Sequence, residues 1–268
     1  MVSPFGSELI AVLQRRFPDA TLTHIEHEPA RKAAFGTWPE WVEPGLKQLL
    51  IDDSVTRPYT HQVQCAQLAW QGRDVVVATG TSSGKSLGYQ LPVLSALAED
   101  QKACAIYLTP TKALGSDQLQ ATMRMTRGNE ALASVHPAPY DGDTPQESRA
   151  GIREHTRYVF TNPDMLHAGL LGAHARWARL LRHLRYIVVD ECHTYRGVFG
   201  ANVSLVLRRL LRIAKAYGAE PTLIFASATA ADPAGQASRL CGREVVAVTE
   251  DAAPTGERTI ALWEPGFI

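Results

Sequence analysis

Short apolar runs alternate with longer amphipathic stretches from residue 57 to about residue 250. The runs are DVVVAT (74–79), CAIYLT (104–109), YVFT (158–161), YIVVD (186–190), TLIFAS (222–227) and EVVAVT (244–249). Continuous apolar runs of this length are typical of strands in a parallel sheet that is covered on both faces. The pattern therefore predicts a strand at each of these runs.

Helical patterns fill the intervals between the runs. They cover residues 60–71, 85–98, 112–126, 173–183, 200–217 and 231–240. Because strand–helix alternation implies right-handed crossovers, the sequence predicts an α/β fold: an open, mostly parallel sheet with helices on both faces. Ligands of such sheets bind at the carboxyl ends of the strands, so the residues after each run are the candidates for chemistry.

The first 55 residues have a different composition. They contain five prolines and the segment TWPEW, with helical patterns around residues 7–16 and 44–51. We expect residues 1–55 to form a small helical N-terminal appendage, residues 56–250 to form the main domain, and residues 251–268 to begin a linker.

Composition narrows the class of protein. Apolar residues make up 45% of the 268 residues, and 27 basic side chains balance 27 acidic ones. Since the net charge is zero, binding of nucleic acid requires a local basic surface. The four cysteines form no CxxC pair, which argues against a structural zinc site or a disulfide framework. A signal peptide and a membrane-spanning run are not evident, so we expect a cytoplasmic protein without membrane contact.

The segment ATGTSSGKS (78–86) follows the first run and has the spacing of a phosphate-binding loop. Loop amides and the N-terminus of the next helix attract anions, Lys85 would reach the terminal phosphates, and the Ser86 hydroxyl would hold Mg²⁺. The alternative is a Ser/Gly-rich turn before a helix. The candidate nucleotide-binding residues are Thr79, Gly80, Thr81, Ser82, Ser83, Gly84, Lys85 and Ser86.

The segment IVVDECHTYRGVFG (187–200) places two adjacent carboxylates at the end of another run. Adjacent acids repel each other, and a nearby cation would offset that repulsion. We expect Asp190 to support Mg²⁺ and Glu191 to orient and deprotonate an attacking water. The alternative is a surface turn with incidental acids. Lys85, Asp190 and Glu191 are thus the candidate catalytic residues.

Two shorter segments are informative only in combination with these. In SAT (227–229), the hydroxyls of Ser227 and Thr229 could bond to His193 and sense the γ-phosphate, although a helix cap would look the same. In YTHQ (59–62), Gln62 could present a donor and an acceptor to an adenine edge while Tyr59 packs on the ring. A solvated glutamine is the alternative.

The segments TPTKALGSDQ (109–118) and TNPDMLH (161–167) follow two further runs, and YDGDT (140–144) offers a turn on the same side. Their side chains and helix N-terminal amides could contact a nucleic-acid backbone. The candidate nucleic-acid-binding residues are Pro110, Thr111, Lys112, Thr161, Asn162 and Asp164.

Taken together, these segments resemble the motifs of a superfamily-two helicase. YTHQ resembles the adenine-reading Q motif, ATGTSSGKS motif I, TPTKALGSDQ motif Ia, TNPDMLH motif Ib, DECH motif II and SAT motif III. Their order and spacing agree over residues 57–230. The resemblance implies a RecA-like P-loop NTPase domain that uses ATP and Mg²⁺.

The segment TYRGVFGANVSLVLRRLLRI after motif II resembles the bacterial YprA/MrfA group, whose members are ATP-driven DNA helicases linked to DNA repair. This implies single-stranded or forked DNA as partner and a nucleoid-associated location. It also implies a second RecA-like domain with an arginine finger in the same full-length chain. We therefore expect the present chain to be a monomeric half-motor that hydrolyses ATP poorly by itself.

Three other functions remain open on the sequence. The motor could act on RNA, because backbone contacts reveal little about the sugar. The chain could instead be a nucleotide-binding interaction module without catalysis, although intact Lys85, Asp190 and Glu191 argue against that. A small-molecule P-loop kinase is the weakest alternative, since it explains neither DECH nor SAT.

Overall fold

The computed structural model describes residues 6–264, which fall into two compact units. The smaller unit combines residues 6–34 with residues 252–264, and the larger unit is continuous from Phe35 to Asp251. Among the described residues, no helix is both long enough and apolar enough to cross a lipid bilayer.

Helices and strands alternate along the larger unit. Over the described residues the α-helices are α1 (Ser7–Arg16), α2 (Pro44–Asp52), α3 (Thr60–Trp70), α4 (Ser86–Glu99), α5 (Lys112–Arg127), α6 (Ser148–His155), α7 (Pro163–Met165), α8 (Ala178–Arg182), α9 (Gly197–Ala216) and α10 (Pro233–Cys241). The strands are β1 (Thr21–Glu28), β2 (Val75–Ala78), β3 (Cys104–Leu108), β4 (Ala138–Pro139), β5 (Tyr158–Thr161), β6 (Leu184–Val189), β7 (Thr222–Ser227), β8 (Val246–Val248) and β9 (Arg258–Glu264).

The larger unit is built on one parallel sheet with the strand order β4–β5–β3–β6–β7–β2–β8. All residues of β2, β3, β5 and β7 are buried, which is why these strands read as continuous apolar runs. The prediction of an open parallel α/β sheet is confirmed. Each predicted run corresponds to an observed strand, with ends that differ by at most two residues.

Successive strand residues point to opposite faces, and each face has its own core. On one face Val76 and Ile106 pack with the inner side of α9, including Leu207. On the other face Val75 and Tyr107 pack with α2, α3 and α4. Burying each large apolar side chain contributes roughly 1.5–3 kcal/mol, so the two cores hold the sheet between layers of helices.

The smaller unit corrects the predicted domain organisation. β1 pairs with β9 in an antiparallel ribbon, so residues 258–264 form a strand where the sequence predicted a linker. Residues 35–55, which contain α2, belong to the larger unit and not to an appendage. β1 was missed because TLTHIEHE is mostly exposed and carries no apolar run. Residues 1–5 of the predicted appendage and 265–268 of the predicted linker lie outside the described residues.

Candidate functional site

The candidate residues converge at one edge of the sheet. The loop of residues 79–85 follows β2, Asp190 follows β6 and Ser227 ends β7. Because β6, β7 and β2 are neighbours in a parallel sheet, their carboxyl ends meet at the same edge. The strand order therefore brings together segments that are far apart in the chain.

The loop between β2 and α4 has the backbone of an anion-binding turn. Gly84 has a φ of +76° and Ser82 a φ of +63°, both in the left-handed region. The hydroxyls of Thr79 and Ser83 lie 2.7 Å apart, and both side chains are buried. These two hydroxyls brace the loop from inside and do not face its opening, so only the backbone of Thr79 and Ser83 remains a candidate for ligand contact.

Lys85 lies on the loop itself. Its Nζ donates to the carbonyl oxygens of Thr79, at 3.2 Å, and Gly80, at 2.8 Å. Burial lowers the pKa of Lys85, while the carboxylates of Glu191, Asp190 and Asp251 partly offset that effect. The ammonium group thus shares one electrostatic neighbourhood with the acids of the DECH segment.

One backbone amide of the loop already donates a hydrogen bond to a carboxylate. Asp251 Oδ2 accepts a hydrogen bond from the Gly80 N–H at 3.2 Å. The contact demonstrates that this N–H is directed toward an anionic oxygen, which is the property that a phosphate-binding loop requires.

Gln62 links the loop to the start of α3. Its side chain is buried, its Oε1 accepts from the Tyr59 N–H at 2.7 Å, and its Nε2 donates to the Gly84 carbonyl at 2.8 Å. Both ends of the amide therefore have protein partners, and the alternative of a solvated glutamine does not hold. The expected contact with an adenine edge stays a prediction. The Tyr59 ring stacks on Phe35 with centroids 5.4 Å apart, and Phe35 is exposed.

Asp190 is held at the end of β6 by two donors, and a further hydroxyl lies nearby. Its Oδ1 accepts from the Glu191 N–H at 2.8 Å. Its Oδ2 accepts from the hydroxyl of Tyr107 and lies 3.3 Å from the hydroxyl of Tyr89. These contacts fix the orientation of the carboxylate at the sheet edge.

Glu191 has a strained backbone and a solvent-accessible carboxylate. Its φ of +50° is unusual for a residue other than glycine, and such strain is concentrated at functional sites. The side chain is 31% exposed, and Oε2 lies 3.2 Å from His193 Nδ1. Glu191 is therefore accessible to a water molecule beside the loop, as expected of a general base.

His193 contacts the end of β7 through the backbone. Its Nδ1 lies 3.2 Å from the Ala228 N–H as well as 3.2 Å from Glu191. When Nδ1 is unprotonated it accepts from Ala228, and when it is protonated it donates to Glu191. The expected hydroxyl contacts are not the ones observed: Ser227 is buried and donates to the Ala228 carbonyl at 2.8 Å, and Thr229 is exposed.

Ser86 and Asp190 are joined by side chains between them. Gln118 Nε2 donates to Ser86 Oγ at 3.3 Å, and Gln118 Oε1 accepts from Tyr89, which also contacts Asp190. A hydroxyl and a carboxylate are hard oxygen donors of the kind that Mg²⁺ prefers when phosphates supply further ligands. The donor set at this edge therefore fits Mg²⁺.

A second group of candidates lies after β3 and β5. Thr111, Lys112 and Asp164 are exposed, and Pro110 is half-buried. Lys112 Nζ forms an ion pair of 2.5 Å with Asp143 in the YDGDT turn. A cavity of about 220 Å³ lies beside this pair, lined by Thr109, Gly115, Pro139 and Asn162 among others.

Two residues of this group turn inward. The Thr161 side chain is buried and its hydroxyl donates to the Tyr140 carbonyl at 2.7 Å. Asn162 caps α7 by accepting from the Met165 N–H at 2.9 Å. The expectation that the Thr161 hydroxyl contacts a ligand is thus corrected, because that hydroxyl joins the strand to the neighbouring loop.

Several residues at the site were not among the sequence candidates: Phe35, Tyr89, Tyr107, Gln118 and Asp251. Tyr107 could have been predicted, because a tyrosine in a fully buried strand needs a hydrogen-bond partner for its hydroxyl. Gln118 stood inside TPTKALGSDQ but was not singled out. The positions of Phe35 and Asp251 depend on tertiary contacts that have no local pattern.

Comparison with known proteins identifies close relatives. The family model described as DEAD/DEAH box helicase matches residues 59–236, which is more than half of the chain. The uncharacterized ATP-dependent helicase YprA of Bacillus subtilis is 40% identical over 91% of this chain and 32% of its own length. The ATP-dependent helicase HRQ1 of Saccharomyces cerevisiae is 41% identical over 78% of this chain and 20% of its own. The chain thus spans a third or less of these relatives.

Solved structures agree with these relatives. The crystal structure of the DUF1998 helicase MrfA bound to DNA superposes with a TM-score of 0.92 at 37% identity, covering 98% of this chain and 37% of that one. The MrfA structure bound to DNA and AMPPNP gives a TM-score of 0.89 at 37% identity, covering 95% and 35%.

Gly84→Ala tests the loop geometry. A Cβ at Gly84 would lie 2.6 Å from Gln62 Nε2, whereas Gly72 has a similar φ of +79° and no atom within 4 Å of its Cβ position. Each alanine should lower the free energy of unfolding by about 1–2 kcal/mol because of the left-handed backbone. We expect Gly84→Ala to cost about 1 kcal/mol more, because Gln62 must give up its hydrogen bonds.

Urea denaturation of both variants measures the difference. In a Gln62→Ala background the two alanine substitutions should become equal in cost. An equal cost in the wild-type background would show that Gln62 does not restrain the loop.

Proposed function

The chain belongs to the DEAD/DEAH box helicase family, and on that premise we propose that it is the ATP-binding half of a motor that moves along DNA. The observation that carries the proposal is the meeting of the loop of residues 79–86, Lys85 and the acids Asp190 and Glu191 at one sheet edge. A nucleoside triphosphate brings the negative charge and the metal ion that this arrangement requires.

Binding of ATP begins with the loop. The amides of residues 80–86 and the N-terminus of α4 bind the phosphates, and Lys85 exchanges the carbonyls of Thr79 and Gly80 for phosphate oxygens. The Gly80 N–H is exchanged in the same way, from Asp251 to a phosphate. The base packs against Tyr59 and the exposed ring of Phe35, with Gln62 fixing the height of the loop beside it.

The hydrolytic step depends on the acids after β6. Mg²⁺ held between Ser86 and Asp190 would neutralise charge on the phosphates. Glu191 takes the proton of the attacking water, and its partial exposure leaves room for that water. His193 Nδ1 switches its hydrogen bond between the Glu191 carboxylate and the Ala228 N–H. This switch links the general base, Glu191, to the segment after β7.

DNA is the proposed track. The support comes from the MrfA structures, whose titles name bound DNA, and from the exposed start of α5 with Thr111 and Lys112. Single-stranded or forked DNA would contact this region together with Asp164 and the α7 N-terminus capped by Asn162. RNA is the alternative track, and strand displacement by the full-length protein on matched DNA and RNA duplexes distinguishes the two.

A second domain completes the motor. The chain spans 20–37% of the matched relatives and MrfA structures, which leaves room in such proteins for a second RecA-like domain. That domain would supply an arginine finger, worth roughly 10³–10⁵ in turnover. On this proposal the present segment alone is monomeric, binds nucleotide weakly and hydrolyses it poorly. We propose DNA repair as the process that the whole protein serves, based on its similarity to the YprA/MrfA group.

Glu191→Gln in the full-length protein tests the motor. The variant should bind ATP normally but lose DNA-stimulated ATP hydrolysis by about 10²–10⁴-fold, because the general base is removed. Glu154→Gln on α6 is the matched control, since its side chain is 74% exposed and contacts His155, which is not one of the candidate site residues. Unchanged hydrolysis by Glu191→Gln would favour a non-catalytic nucleotide-binding module.

Lys112→Gln tests the nucleic-acid contact. If Lys112 binds one phosphate of single-stranded DNA, its loss should weaken binding and reduce the slope of log K against log salt by about 0.7. Asp143→Asn should strengthen binding, because it frees Lys112 from its ion pair. Fluorescence anisotropy with labelled DNA measures both. Equal affinity and slope in all three proteins would exclude Lys112 from the DNA contact.

A further inference from the structure

Three polar side chains lie between Ser86 and Asp190: Tyr107 on β3, Tyr89 on α4 and Gln118 on α5. Gln118 donates to Ser86 and Tyr107 donates to Asp190, while the Tyr89 hydroxyl lies near both Gln118 Oε1 and Asp190 Oδ2. None of the three touches the nucleotide in the proposed reaction.

Tyr107 holds the Asp190 carboxylate by a hydrogen bond. Its ring is fully buried and its hydroxyl donates to Asp190 Oδ2. The phenol proton is thus directed at the Asp190 carboxylate. Together with the Glu191 N–H on Oδ1, this bond fixes the orientation of the Asp190 carboxylate.

Tyr89 has one proton and two acceptors. Its hydroxyl lies 3.0 Å from Gln118 Oε1 and 3.3 Å from Asp190 Oδ2, so the shorter bond to Gln118 is preferred. Gln90 Nε2 also donates to Gln118 Oε1, at 3.3 Å. Because two donors converge on that oxygen, the amide orientation of Gln118 is determined and its nitrogen faces Ser86 Oγ, at 3.3 Å.

We propose that Tyr107 and Gln118 are positioning residues for the cation that accompanies the triphosphate, Tyr107 through the Asp190 carboxylate and Gln118 through the Ser86 hydroxyl. The inference rests on the proposed function, since it assigns these residues to the same nucleotide site. Groups that orient metal ligands typically contribute 10–100-fold in metal affinity or activity. The hydrogen bonds of Tyr107 and Gln118 thus set the direction of both protein oxygens before the ligand arrives.

The test measures nucleotide affinity of the full-length protein as a function of Mg²⁺. A fluorescent AMPPNP analogue is titrated at a series of Mg²⁺ concentrations and in EDTA. For Tyr107→Phe and Gln118→Leu we expect the Mg²⁺ concentration at half-maximal affinity to rise about 10-fold or more. Affinity in EDTA should stay within about twofold of wild type, because the loop contacts are unchanged.

Matched variants separate this role from general packing. Gln120→Leu makes the same change at an exposed position of α5, and Tyr186→Phe removes the hydroxyl of another buried strand tyrosine, which lies 3.5 Å from the Ala69 carbonyl. Both controls should keep the wild-type Mg²⁺ dependence. Gln118 is only half-buried, so Gln118→Leu keeps the test decisive if Tyr107→Phe does not fold.

The outcomes are distinguishable. Wild-type Mg²⁺ dependence in Tyr107→Phe and Gln118→Leu would overturn the positioning role and leave the proposed function standing. Equal losses with Mg²⁺ and in EDTA would overturn it too, because they indicate a purely structural effect. An absence of Mg²⁺-dependent nucleotide binding in the wild type would overturn the proposed function together with the inference.

Discussion

The site depends on the compensation of charge at one edge of a parallel sheet. Asp190 and Glu191 are adjacent in the chain, and Lys85 is brought near them because β2 and β6 end at the same edge. Each charged group has a protein partner here: Lys85 has two loop carbonyls, Asp190 has tyrosine hydroxyls, and Asp251 has the Gly80 N–H. On the proposed function, binding of a triphosphate is therefore an exchange of partners, in which the ligand replaces contacts that the chain already makes.

This exchange limits affinity and provides a means of coupling. A hydrogen bond contributes about 0.5–1.5 kcal/mol net, so every internal partner that is released subtracts from the free energy of binding. On the proposed function, the contacts that change involve two segments outside the loop: Asp251 lies at the end of the larger unit, and Ala228 follows β7. Occupancy of the loop would therefore alter the hydrogen bonds of both segments.

The sequence predicted the features that have a local cause. Strands buried on both faces must be apolar throughout. The phosphate loop and the DECH acids directly follow two of these apolar runs in the chain, so their position at strand ends could be predicted. It did not predict β1 and β9, because an exposed, charged strand has no apolar pattern and its partner lies at the other end of the chain. Side-chain directions were also missed. Thr161 and Gln62 turn to protein partners, and the contact of His193 is a backbone N–H that no residue type reveals.

A crystal structure of the protein with AMPPNP and Mg²⁺ tests the central claim most directly. We expect the triphosphate on the amides of residues 80–86, with the ion between Ser86 Oγ and Asp190 and with Lys85 Nζ moved from the Thr79 and Gly80 carbonyls to a phosphate oxygen. A nucleotide bound elsewhere, or a bound triphosphate with Lys85 still on those carbonyls, would contradict it.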